Sequence, residues 1–162
     1  VGPEHLVLFS LGMEGVVFSQ LKALVPQVLA INVPVSGSGN LVYVQIRKDF
    51  EGLGVNTALA ALGVYRFKCA VVVDEDIDIY DDESVLWAIM TRTQADRSFF
   101  TAPGSYISRV DPTGYPAYPG GPALLSTRLG IDATKPLNPN FPEVAEPPSP
   151  LWRHIKLKDY LP

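Results

Sequence analysis

The chain has 162 residues, enough for one domain with a sizeable core, and its 47% hydrophobic, 19% charged composition is that of a globular protein. A net charge of −4 argues against a nucleic-acid or anionic-membrane surface, and no apolar run approaches the ~18 residues of a membrane span. The single cysteine, Cys69, excludes an internal disulfide framework and a cysteine-rich zinc site; it reads as a buried small hydrophobe and fits a reducing, cytoplasmic setting.

Residues 5–10 (HLVLFS), apolar and bounded by Gly2-Pro3 and Gly12, read as a buried strand. Residues 15–25 carry Val17, Leu21, Leu24 and Val25 at helical spacing and stop before Pro26, so a helix is expected. Residues 28–33 read as a strand. Residues 40–47 alternate Val42, Val44 and Ile46 with Tyr43, Gln45 and Arg47, the pattern of a strand with one face more buried. The intervening Ser36-Gly37-Ser38-Gly39 suits a hairpin connection. Residues 52–65 predict a helix through Val55, Leu59 and Leu62, residues 69–73 (CAVVV) a fully buried strand, and residues 81–91 a helix with acidic residues at its N-terminus. Residues 98–101 suggest a further short strand. Eleven of the 15 prolines fall between Pro103 and Pro150, where turns and extended backbone are expected. Residues 136–150 read as an arm and residues 153–161 as a short final helix or docking segment. The order predicts an α/β fold: a mixed sheet with packed helices over residues 1–135, then a Pro-rich extended C-terminal arm over 136–162.

The densest polar feature is residues 74–83 (DEDIDIYDDE), directly after the buried strand. Ligands of open α/β sheets sit at the carboxyl ends of strands, so the run invites chemistry. A calcium loop fits at Asp74, Asp76 and Asp78 but places Ile79 where a turn glycine is needed and Val85 at the bidentate acid position. A haloacid-dehalogenase-type phosphatase would use Asp74 as nucleophile and Asp76 as acid/base, but Asp78 stands where that family prefers Thr or Val. A divalent-metal pair of the DxD type matches only three residues. The plain alternative is that these carboxylates solvate the strand end, cap the next helix or pair with arginines.

Residues 71–93 (VVVDEDIDIYDDESVLWAIMTRT) resemble the UbiD decarboxylase family: an apolar strand, an acidic segment, then a helix with a Trp-Ala and a Thr-Arg. Asp76, Asp78, Trp87, Ala88, Thr91 and Arg92 carry the match. A second block, residues 127–134 (TRLGIDAT), with Arg128, Asp132 and Thr134, resembles that family's basic-Leu-Gly-Ile-Asp-Ala-Thr segment. The likeness spans residues 28–137.

The resemblance implies the C-terminal domain of a reversible, non-oxidative carboxy-lyase for aromatic or α,β-unsaturated acids. Such an enzyme uses prenylated FMN with a divalent metal and potassium, and a Glu-Arg-Glu catalytic set in a preceding flavin-binding region. Nothing here matches that set, and His5 and His154 lack a metal motif, so no catalytic, cofactor-binding or metal-binding residue is assigned and the isolated chain is expected to be inactive. The chain starts at Val1 rather than Met, which reads as a fragment or processed chain. The expected partners are the flavin-binding domain of the same enzyme, further copies in a dimer or higher homo-oligomer, and the acid substrate; neither nucleic acid nor a membrane span is expected. By the same resemblance, residues 101–109 border the substrate pocket through Tyr106, Ile107 and Ser108. Trp87 reads as core or as an interface anchor. Arg92 reads as a helix C-terminal cation or a partner of the acidic run, Arg128 as an ion-pair partner of Asp132 or of residues 74–83, and Asp132 and Thr134 as makers of turn or capping bonds. Two alternatives stay open: a separate scaffold subunit of a multi-chain decarboxylase, and a metal-dependent phosphatase using Asp74 and Asp76.

Overall fold

The structure, a computed structural model, describes residues 3–107, 111–142 and 144–145, with side chains from residue 12 onward. The elements in chain order are α1 (Pro3–Leu24), β1 (Val28–Asn32), β2 (Leu41–Ile46), α2 (Leu53–Val64), β3 (Cys69–Asp74), α3 (Asp82–Arg92), β4 (Phe99–Tyr106), β5 (Tyr115–Pro116) and β6 (Ala123–Ala133). A one-turn 3-10 helix, Val35–Gly37, joins β1 to β2, which pair antiparallel as a hairpin. β2, β3 and β6 run parallel, and β4 and the short β5 pair antiparallel with β6. The sheet order is β1-β2-β3-β6-β4, so the mixed α/β architecture is present.

Alternation along β3 divides the core into two layers. Ala70 and Val72 face α1 and α2, meeting Met13, Val17, Leu21, Ala58, Leu62 and the fully buried Phe67. Val71 and Val73 face the other way, onto Val85, Ala88 and Ile89 of α3. A strand buried on both faces has no polar phase, which is why residues 70–73 are uninterruptedly apolar.

Three expectations change. Residues 5–10 are not a strand; they are part of α1, which begins at Pro3, a residue suited to a first helical turn. A six-residue apolar run carries no period that separates strand from buried helix, and Gly12 and Gly15 are tolerated inside the helix rather than ending it. β4 extends to Tyr106 because its register shifts between Ala102 and Ser105, which absorbs Pro103 and Gly104. Residues 127–133 belong to β6, an interior strand of 11 residues inside the proline-rich half. The expected final helix lies outside the described residues, as does Ser108. No helix of the described residues is long and apolar enough to cross a membrane.

α3 is started by Asp81, whose carboxylate accepts from the backbone N–H groups of Glu83 and Ser84, both at 3.2 Å, and from Ser84 Oγ at 2.6 Å. These bonds satisfy donors that a first helical turn leaves free. Asp81→Ala should therefore speed amide hydrogen exchange at Glu83 and Ser84 selectively, while Asp81→Ser should largely preserve protection. Equal rates in all three proteins would remove the cap from the account of this helix.

Candidate functional site

Because β2, β3 and β6 are parallel, their carboxyl ends lie side by side. Lys48 follows β2, Asp74 ends β3 and Asp76 follows it, and Thr134 and Lys135 follow β6. α3 returns Arg92 to the same place. The Arg92 side chain is 1% exposed; its Nη1 donates to Asp74 Oδ2 and Asp76 Oδ1, both at 2.9 Å, and its Nη2 to Asp76 Oδ2 at 2.8 Å. The Trp87 ring lies 5.3 Å from the guanidinium carbon, a cation–π distance.

The chain leaving β6 is fastened to this cluster. Lys135 donates its backbone N–H to Asp74 Oδ2 at 2.6 Å and its ammonium to Asp76. Lys48 Nζ donates to Lys135 O at 2.8 Å and pairs with Glu51 at 2.6 Å; Glu51 in turn accepts from Leu137 N–H at 2.6 Å. The electrostatics of the two aspartates diverge. Burial pushes Asp74 above the ordinary carboxylate range, against the pull of the Lys135 amide and Arg92. Burial opposes ionisation at Asp76 too, but hydrogen bonds from Arg92 and Lys135 outweigh it and hold that carboxyl at about 2. Asp78 caps its own turn by accepting from Tyr80 N–H at 2.9 Å.

This arrangement can fasten a chain; it is poorly suited to reaction. A phosphatase nucleophile needs an open line of approach and a metal-binding partner, whereas Asp74 Oδ2 and both oxygens of Asp76 are taken by Arg92 and Lys135. Among the described residues no group of three His, Cys, Asp or Glu converges as a metal site.

The second block acts through α2. β6 residues alternate between the layers: Ile131 and Ala133 face α3, while Arg128, Gly130 and Asp132 face α2. Arg128 makes no ion pair with Asp132 or with residues 74–83. It donates to the carbonyls of Leu62 and, at 3.2 Å, of Tyr65, which close the C-terminal end of α2. Four carbonyls per helix end need such donors, and a cation there also meets the negative end of the helix dipole. Asp132 Oδ1 accepts from Thr134 N–H at 3.1 Å and Thr134 Oγ1 at 2.6 Å, and its carboxylate lies against Gly54 in the first turn of α2.

Of the pocket-edge candidates, Ile107 is 1% exposed and turned into the protein, while Tyr106 is accessible. The Arg66 guanidinium lies between the rings of Tyr65 and Tyr106, at 5.7 and 5.6 Å. Tyr106 pairs with Leu125 whereas Val73 pairs with Ala133, so this corner is roughly 25 Å from the Arg92 cluster at about 3.3 Å per strand residue. The two regions belong to opposite ends of the sheet. Trp87 is not core: it is 41% exposed and flanked by Leu86 and Met90. Sequence reasoning missed Lys48, Glu51 and Lys135, whose partners are distant in the chain; the lone basic residue after the Asp-Ala-Thr block was their only local signal.

Residues 7–133 match the profile of the 3-octaprenyl-4-hydroxybenzoate carboxy-lyase C-terminal domain. The anhydromevalonate phosphate decarboxylase of Methanothermobacter thermautotrophicus is 38% identical over 138 residues, which cover 84% of this chain and 31% of that protein. The gallate decarboxylase of Lactiplantibacillus plantarum is 31% identical over 149 residues, covering 85% of this chain and 30% of that one. The solved structure of the UbiD-class enzyme HmfF from Pelotomaculum thermopropionicum, in complex with FMN, superposes with a TM-score of 0.81 at 35% identity, covering 98% of this chain and 34% of that one. This chain thus spans about a third of the length of the relatives it matches.

Proposed function

The chain belongs to the family of 3-octaprenyl-4-hydroxybenzoate carboxy-lyase C-terminal domains, and from that premise we propose that it is the oligomerisation and pocket-edge domain of a prenylated-FMN-dependent decarboxylase. The substrate of the whole enzyme is an aromatic or α,β-unsaturated carboxylic acid, and the reaction is reversible loss of CO2. A bound prenylated flavin would supply delocalisation of the electron pair left by CO2, and it would be held, with a metal, potassium and a Glu-Arg-Glu set, by a flavin-binding region outside this domain. This domain contributes shape: it packs on that region and Tyr106 borders the pocket.

The observation that carries this reading is the inward use of the acidic run. The carboxylates of Asp74 and Asp76 are held by Arg92 and Lys135 and fasten the end of β6. A strand-end cluster satisfied in this way supports a scaffold rather than a reaction centre.

The test is to express the full reading frame with the prenylated flavin and measure CO2 release from a panel of aromatic and unsaturated acids. Release that requires the flavin is expected. If the flavin binds and no acid is decarboxylated, the assignment fails. Activity that appears only on mixing with a separately encoded chain would move the domain to the scaffold-subunit reading. Magnesium-dependent phosphatase activity lost in Asp74→Asn would replace it altogether.

A further inference from the structure

A second charged corner lies at the amino end of β3, remote from the Arg92 cluster. Arg66 stands in the short link between α2 and β3, and both of its neighbours are anchored. The Tyr65 carbonyl accepts from Arg128 at 3.2 Å, and Phe67 is fully buried with its ring 5.0 Å from that of Tyr65. The Arg66 guanidinium carbon is 5.7 Å from the Tyr65 ring and 5.6 Å from the Tyr106 ring, and Nη1 donates to Tyr106 Oη at 3.4 Å. Among the described arginines, Arg47, Arg92 and Arg97 pair with carboxylates and Arg128 serves the carbonyls that end α2; Arg66 has neither kind of partner among the described residues. The charge of Lys68, next but one in sequence, is answered by Asp111 at 3.0 Å.

We infer that Arg66 is a specificity determinant: it receives a second anionic group of the substrate, a carboxylate or phosphate at the end away from the carboxylate that leaves. The inference rests on the reading of Tyr106 as a border of the pocket. A guanidinium stacked on that tyrosine faces whatever the tyrosine faces. It presents its N–H donors in a planar fork that matches an oxyanion, and among the described residues the one hydrogen bond of this side chain goes to Tyr106. The two rings fix its plane, so little rotamer freedom is lost when an anion binds. An acid with a single carboxylate, held at its reacting end, leaves this cation unanswered, whereas a dianion answers it. The substrate class of the whole enzyme thereby narrows to unsaturated or aromatic acids that carry a second oxyanion.

The experiment uses the full-length, flavin-loaded enzyme. Calorimetry measures binding of 3-phenylpropanoic acids carrying a 4-carboxamide, a 4-carboxylate or a 4-phosphate, and turnover is measured on the matching cinnamic acids. Preference for the two anions over the amide is expected, and Arg66→Gln should cut that preference about tenfold, in dissociation constants and in KM. Arg66→Lys should restore part of it. A merely structural Arg66 would weaken all three ligands alike, so a preference unchanged in Arg66→Gln overturns the inference. Equal binding of anion and amide by the wild type overturns it as well. Turnover keeps the two levels apart. Decarboxylation without anion preference removes the role of Arg66 and leaves the decarboxylase reading standing; an Arg66-dependent preference with no turnover of any acid keeps the anion site and overturns that reading instead.

Discussion

Arg92→Ala should cost about 3 kcal/mol of folding stability, read as a fall in the urea midpoint at neutral pH with little change in m. The mechanism is the stranding of two carboxylates. Asp74 and Asp76 share one guanidinium, and its loss leaves their charges adjacent, with Lys135 alone to oppose them. Removing one partner of a buried pair typically costs about 3–5 kcal/mol, and the lower end applies because Asp76 is 39% exposed. A domain holds only about 5–15 kcal/mol in total, so the change is a large share. Arg92→Lys should be intermediate, since an ammonium cannot reach both carboxylates as a planar fork does. Adding Asp74→Asn and Asp76→Asn to Arg92→Ala should recover much of the loss; if the triple variant is as unstable as the single, the cost came from packing against Trp87.

The same variant has a signature in pH. Asp76 is depressed to about 2 in the folded protein, so its contribution is present above the ordinary carboxylate value, 3.8, and is lost as pH falls toward 2. Screening at a partly exposed site holds that contribution to about 1 kcal/mol. Asp74 is raised by burial, so it has the opposite sign and favours folding as it takes up a proton. Without Arg92 both carboxyls rise, and protonation relieves their repulsion. The stability gap between wild type and Arg92→Ala should therefore narrow as pH is lowered from about 7 toward 4. A gap that stays constant would exclude electrostatics as its source.

The parts of this fold that were legible in the sequence are those with a clean period or a hard stop. β2 announced itself through Val42, Val44 and Ile46; α2 was legible as a helix, but not by its face, because Leu59 is exposed and Leu53, Thr57, Ala58, Ala61 and Leu62 are the side chains it buries. The parts that were not legible depend on partners far away. β6 lies in a proline-rich stretch, yet Arg128, Gly130 and Asp132 stand where α2 and Phe100 require them rather than where a strand pattern would put apolar residues. Gly130 is an example: a Cβ there would lie 2.0 Å from the Phe100 ring, which covers the position from β4. Leu129, Ile131 and Ala133 supply the apolar phase, but the other face, Arg128, Gly130 and Asp132, reads as loop chemistry. Arg92 had two readings, helix-end cation and partner of the acidic run; its position in the last turn of α3 and its bonds to Asp74 and Asp76 make both true at once.

β6 meets both ends of α2 with matched charge, and this gives its motif a physical meaning. Arg128 lies at the carbonyl end and Asp132 at the amide end, where a negative charge is favoured. The N-cap residue is Gly52, at φ 86°, which has no side chain to cap with. Asp132 thus brings to the first turn of α2 a charge that its own sequence omits. Its carboxylate comes so near that residue 54 must be glycine: a Cβ there would lie 2.1 Å from Oδ1, 2.2 Å from Cγ and 2.4 Å from Oδ2.

Gly54→Ala should for that reason destabilise, against the helix scale. Alanine in place of glycine favours a helix by up to about 1 kcal/mol. The clash opposes it with about 3 kcal/mol, because Thr134 holds the carboxylate in place through its N–H and hydroxyl. The net expectation is a loss of about 2 kcal/mol. In an Asp132→Ala background the obstacle is gone, and the same Gly54→Ala change should become neutral or stabilising by about 0.5–1 kcal/mol. That reversal of sign, measured by urea denaturation of the four proteins, is the decisive result. A Gly54→Ala effect of equal size with and without Asp132 would mean that the two residues do not share the space, and that the Asp in the second block serves only its own turn with Thr134.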